Sequence, residues 1–94
     1  MLFVIHAIDK VDSIALRSQH RDQHLAYLES YGEAVTLAGP LLSADGEAMV
    51  GSLLIINVAD RPAAEAFAAN DPYAQAGLFA EVSLHPFKRV ISHA

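Results

Sequence analysis

The sequence predicts an α+β fold: a four-stranded antiparallel sheet with helices on one face, built in the order β-α-β-β-α-β. Three observations point there. Four apolar, β-type runs alternate with helix-type segments in that order. The first and third runs are the most continuously apolar, as the two central strands of this ferredoxin-like arrangement should be. The fourth run contains Pro86, which an edge strand tolerates and a central strand does not.

The elements follow in order. MLFVIHAI, residues 1–8, is short, apolar and β-branched and reads as the first strand, which Asp9 ends. Asp12 or Ser13 can cap a helix by accepting from the free N–H groups of its first turn. That helix runs over residues 14–31 and stops at Gly32. EAVTLAGPLLS, residues 33–43, reads as a strand broken near Gly39-Pro40, and Asp45-Gly46 marks a turn. GSLLIINVA, residues 51–59, is the third strand. Asp60 with Pro62 starts an alanine-rich helix over residues 62–69 that can pack close to a sheet. Asn70-Asp71-Pro72 stops it and can begin one more turn, capped by Asp71 and ended by Gly77. FAEVSLHPFKRVI, residues 79–91, alternates and reads as the fourth strand. There are no repeats or linkers, so residues 1–94 are expected to form a single domain.

Composition sets further bounds. With 53% hydrophobic and 18% charged residues, the chain is too apolar for disorder and rich for a small monomer. Strand one is apolar on both faces (Leu2, Val4 and Phe3, Ile5), and so is strand three (Leu53, Ile55 and Leu54, Ile56). Helices can cover only one of those faces. A second copy is therefore expected on the other, giving a homodimer through the sheet face. The net charge of −5 argues against nucleic acid as a partner. The absence of cysteine excludes disulfides, thiolate catalysis and Cys-based metal sites. No run of 18 apolar residues exists to span a membrane, and the N-terminus reads as a strand rather than a signal peptide. The expected compartment is the cytoplasm.

The first helix carries RSQHRDQHL, residues 17–25. At about 100° per residue from His20, His24 falls at about 40°, Arg17 at about 60° and Leu28 at about 80°. Arg21 follows at about 100°, Ile14 at about 120° and Leu25 at about 140°. Leu28, Ile14 and Leu25 are expected to define the inward arc, with Arg21 inside it and Arg17 and His24 on its shoulder. An unpaired charge in a core is costly, so an inward arginine needs an anion or a polar cavity. Alternatively its stem can lie on apolar surface and return the guanidinium to water. The residues leave both readings open.

His24 has three readings: a plain buried or surface histidine, a metal ligand with His20, or a general acid/base. The flanking arginines oppose a cation, and HRDQH lacks the glutamate of the zinc-protease pattern, so no metal is expected. Acid/base work needs a carboxylate to orient the ring. Asp71 is the candidate, with one oxygen capping the turn at Pro72 and the other facing a pocket. Ser52, Tyr73, Ser43 and His6 could add polar contacts. His85 and His93 read as surface residues.

Together, several motifs resemble the YciI-like (YCII-related) family: R-x-x-H-L from Arg21 to Leu25, A-G-P-L over 38–41, Gly51-Ser52, D-P-Y-x-x-A-G-L over 71–78 and P-F-K over 86–88. The resemblance covers nearly the whole chain. It implies a ferredoxin-like fold of the dimeric α+β barrel type, a homodimer, and a site centred on a histidine and an aspartate, here His24 and Asp71. On this basis the chain is expected to be a small-molecule enzyme without a bound cofactor. His24 would be the acid/base, Asp71 its partner, and Arg21 and Arg17 would hold an anionic or enolate-like oxygen, with Ser52 and Tyr73 at the site. Elimination or hydrolysis of a small anionic or aromatic substrate fits these groups. The alternative is a ligand-binding or accessory dimer that does no chemistry. Related barrels use haem or oxygen, but no feature of this chain points to such a cofactor.

Overall fold

The computed structural model describes residues 1–93. Strand β1 is Leu2–Asp9, helix α1 Ile14–Ser30, β2 Val35–Leu42 and β3 Met49–Asn57. Helix α2 is Arg61–Asn70, the single-turn α3 is Pro72–Gln75, and β4 is Phe79–Phe87. The sheet order is β2-β3-β1-β4 with every pair antiparallel, so β1 and β3 are central and β4 is an edge, as expected. This is the ferredoxin-like arrangement and the protomer topology of the dimeric α+β barrels.

The period of two in β1 decides which residues meet the helices. Phe3, Ile5 and Ala7 are buried, and across the register they pair with Ile56, Leu54 and Ser52 of β3. Ala64 and Phe67 of α2 and Leu28 of α1 close over them as the apolar core. Asp60 caps α2 by accepting from the Ala63 N–H at 2.9 Å. Ala64, completely buried, is small enough to let that helix lie against the sheet.

Four details depart from expectation. Strand β2 is continuous through Gly39-Pro40; its irregularities fall between Val35 and Leu37 and between Leu41 and Leu42. As an edge strand it accommodates a proline without losing a ladder bond on its free side. Strand β4 ends at Phe87 rather than near residue 91. Neither Asp12 nor Ser13 caps α1 through its side chain. Asp12 takes a left-handed turn conformation, φ 57°, and the Ser13 hydroxyl donates back to the Val11 carbonyl at 3.4 Å. Finally, the buried stripe of α1 is Arg17, His24 and Leu28, whereas Ile14 and Leu25 are 61% and 38% exposed. The helix is rolled so that its polar shoulder faces inward. The partners that make this affordable lie on other elements.

Gly51 of β3 sits where β1 and β2 leave no room for a side chain. A Cβ there would overlap the Ala7 carbonyl oxygen and sit 2.9 Å from the Leu41 side chain. Gly51→Ala is therefore predicted to cost about 1–3 kcal/mol, as overpacking does. A thermal melt should show a loss of roughly 5 °C or more; an unchanged midpoint would count against this packing.

Candidate active site

The chain path brings the polar side chains together at one end of the covered face. In β1 the alternation Phe3, Ile5, Ala7 continues to Asp9, so a carboxylate stands where the next core residue would. Arg17, one turn into α1, reaches it. Its Nε donates to Asp9 Oδ2 at 2.7 Å and its Nη2 to Asp9 Oδ1 at 2.9 Å, with both side chains 5% exposed. The same Nη2 donates to Ser52 Oγ at 2.9 Å. A fork-to-fork pair of this kind satisfies both charges at once. Burial opposes the Arg17 charge, but the Asp9 carboxylate together with Tyr73 more than offsets it and holds the guanidinium's pKa above its ordinary value.

Two turns further on, His24 Nδ1 lies 2.8 Å from Asp71 Oδ1. Asp71 stands in extended backbone between α2 and α3 and caps the latter. Its Oδ1 also accepts the Tyr73 N–H, at 2.9 Å. One oxygen thus does both jobs, where the sequence suggested a division between two. Pro72 at the start of α3 removes a donor that would otherwise compete. The His24 ring stacks on Tyr73, with centroids 4.0 Å apart and planes 16° apart. The Arg17 guanidinium carbon lies 4.6 Å from the centre of the same Tyr73 ring. Among the described residues no buried side-chain nitrogen or oxygen lacks a partner.

These groups border a cavity of about 180 Å³. Arg17, His24, Ser52 and Tyr73 form its polar side; Leu25, Leu28, Pro40 and Met49 are among its apolar walls. An apolar void near 150 Å³ accommodates a benzene ring, so this one has room for a single six-membered ring with small substituents. Arg21 lines the cavity but is itself exposed. It makes no ion pair among the described residues.

The residues singled out from the sequence separate cleanly. His24, Asp71, Arg17, Ser52 and Tyr73 meet; Arg21 stands at the rim. His20 faces outward, 3.2 Å from Gln23. Ser43 is engaged in the β2–β3 turn, donating to Asp45 at 2.6 Å. His6 alternates to the uncovered side of the sheet, and His85 and His93 are exposed. Among the described residues no three His, Cys, Asp or Glu side chains gather as a metal site. No helix of the described chain is long and apolar enough to cross a membrane.

The YCII-related domain model matches residues 1–88. The chain belongs to the YCII-related family. It is 40% identical to protein YciI of Escherichia coli O6:H1 over 98 residues, 96% of this chain and 99% of that one. It is 37% identical to an uncharacterized protein of Haemophilus influenzae over 97 residues, with the same coverage. Among solved structures it resembles 5-chloro-2-hydroxyhydroquinone dehydrochlorinase (TftG) from Burkholderia phenoliruptrix AC1100, in complex with 2,5-dihydroxybenzoquinone. That likeness has a TM-score of 0.90 at 35% identity and covers 96% of each chain.

In this YCII-related protein the residue that sequence reasoning missed is Asp9, taken only as a strand terminator. A signal was present. The period of two puts residue 9 on the same face as Phe3 and Ile5, and an acid at a covered position demands a cation.

Burial raises the pKa of the Tyr27 hydroxyl well above an ordinary tyrosine, with its neighbour Tyr31 adding to the shift. It also raises Tyr73, against the opposing pull of Arg17 and Arg21. Both groups are neutral in either state below the unfolded-state value of 10.0, so their contribution is intact there and is lost as pH rises beyond it. Thermal melts should accordingly show a midpoint that falls above about pH 10, with part of the tyrosine absorbance titrating late. Simultaneous titration of all three tyrosines at the ordinary value would contradict the burial of these hydroxyls.

Proposed function

We propose that this protein is a cofactor-independent enzyme that eliminates a small leaving group from a hydroxylated six-membered ring, with His24 as the acid/base. The observation that carries this reading is the 2.8 Å His24–Asp71 contact at the wall of a ring-sized cavity. With Nδ1–H donated to the carboxylate, the neutral ring keeps its lone pair on Nε2, the tautomer a base needs. Nε2 takes the proton of one ring hydroxyl and delivers it to the ring carbon that bears the leaving group, giving the keto tautomer in which that carbon is tetrahedral. Nε2 then takes the proton of a second, conjugated hydroxyl; its electron pair forms the second carbonyl, a ring double bond shifts, and the leaving group departs with its bonding pair. The imidazolium then returns its proton to water, so the net change is loss of HX. Arg21 at the rim supplies positive charge for the developing oxyanion. Arg17 has its Nε and Nη2 engaged and stiffens the wall behind Tyr73. The dehydrochlorinase named above, described in complex with a ring of this size, supports the same substrate class.

We also propose that the working form is a homodimer through the uncovered sheet face. Leu2, Val4, Ile8, Leu53 and Ile55 alternate onto that face from the two central strands. Leu37 and Phe87, 55% and 41% exposed, extend it onto the edges. Among the described residues no helix lies on that side, and a second copy presents the same surface.

Two measurements test these readings. His24→Gln, assayed on a panel of halogenated hydroquinones, should lose about 10²–10⁴-fold in kcat, the usual worth of a general acid/base. Turnover in that variant equal to native would remove His24 from the chemistry. Sedimentation of the chain at micromolar concentration should give twice the 10.1 kDa chain mass; a monomer would overturn the dimer.

A further inference from the structure

The two arginines of the cavity are not equivalent. Arg17 is buried, paired through two nitrogens with Asp9 and bonded to Ser52, so its charge is balanced and its guanidinium cannot swing toward a ligand. Arg21 is exposed, lines the same cavity and has no ion-pair partner among the described residues. Asp71 does not line the cavity; its Oδ1 is turned to the His24 ring and the Tyr73 N–H. Of the two cationic side chains that line the cavity, Arg17 is cancelled by Asp9 and Arg21 remains.

We propose that Asp9 is a specificity-determining residue of the cavity. By neutralising Arg17 it leaves one net positive charge facing a ligand, so the cavity selects a ring bearing a single negative charge over one bearing two. This rests on the reading of the cavity as the site for an acidic six-membered ring. Nothing about Asp9 as a strand end requires the effect. It follows from the length of β1, which carries the carboxylate to the covered face beside Ser52, and from Arg17 lying within reach on α1. The cavity volume of about 180 Å³ leaves little space for the water that would solvate a second ligand charge, and taking that charge from water without a partner is costly.

The test is calorimetric titration of the full chain with three ring probes: benzyl alcohol, benzoate and phthalate, carrying no, one and two negative charges. The native chain is expected to bind benzoate most tightly. In Asp9→Asn the Arg17 charge is released, and phthalate should gain about tenfold on benzoate, the effect of one added unit charge at close range. In Arg17→Gln the Asp9 charge is released instead; relative to benzyl alcohol, benzoate should lose about tenfold and phthalate about a hundredfold. Opposite shifts in the two variants identify charge as the cause. Where a single variant does not fold, Asp9→Asn with Arg17→Gln removes both charges and keeps their sum, and should preserve the native order of the probes. Equal weakening of all three probes, or a changed order in the double variant, overturns the role of Asp9 and leaves the ring site standing. Failure of the native chain to bind any of the three overturns the ring site and the selectivity together.

Discussion

A charge taken out of water must find its opposite at hydrogen-bond distance, and in this protein that requirement sets how α1 lies on the sheet. Arg17 ties the start of the helix to β1 through Asp9 and to β3 through Ser52. His24 ties its middle to the α2–α3 junction through Asp71. Leu28 and the Tyr27 hydroxyl, which donates to the Phe67 carbonyl at 2.9 Å, tie its end to the apolar core and α2. Losing one partner of a buried ion pair costs roughly 3–5 kcal/mol, a large part of the stability of a domain this size. The roll of α1 that exposes Ile14 and Leu25 follows, because turning those residues inward would strand Arg17 and His24.

The covered face divides into two halves along β1. Phe3 and Ile5 belong to the apolar half, packed by α2 and Leu28; Ala7 and Asp9 lead into the polar half. The change from large to small side chains opens the space. Ala38, Gly39 and Ser52 fill little of it, and the cavity lies between them and α1. The apolar half stabilises the fold, while the polar half is stiff because its bonds are satisfied. Tyr73 joins them: its ring stacks on His24 and its N–H shares the Asp71 oxygen, so the histidine is held from its face and from its edge.

The architecture was legible because its signals are local. Alternation in β1, the continuous apolar run of β3, Pro86 in the last strand and the Asp60 cap each need only a few neighbouring residues to interpret. The covered core, Phe3, Ile5, Leu54 and Ile56, follows from the same period of two. The site was legible less directly. His24 and Asp71 are 47 positions apart, and no spacing rule joins them; the family's motifs did. Asp9 passed unnoticed because its partner lies on another element. The inward arc of α1 was misplaced for the same reason: apolar residues were allowed to define it when paired polar ones did.

The sequence by itself determined the order of strands and helices, the two central strands, the turn at Asp71 and an uncovered sheet face too apolar to be wholly content in water. These depend on periodicity, capping and the geometry of proline, which act over a few residues. Only the tertiary structure decided which polar groups meet. Asp9 comes to Arg17, Asp71 to His24, and Arg21 is left at the rim, because burial couples residues through distance in space. A helix's own sequence records what its side chains are, but not what the sheet will offer them.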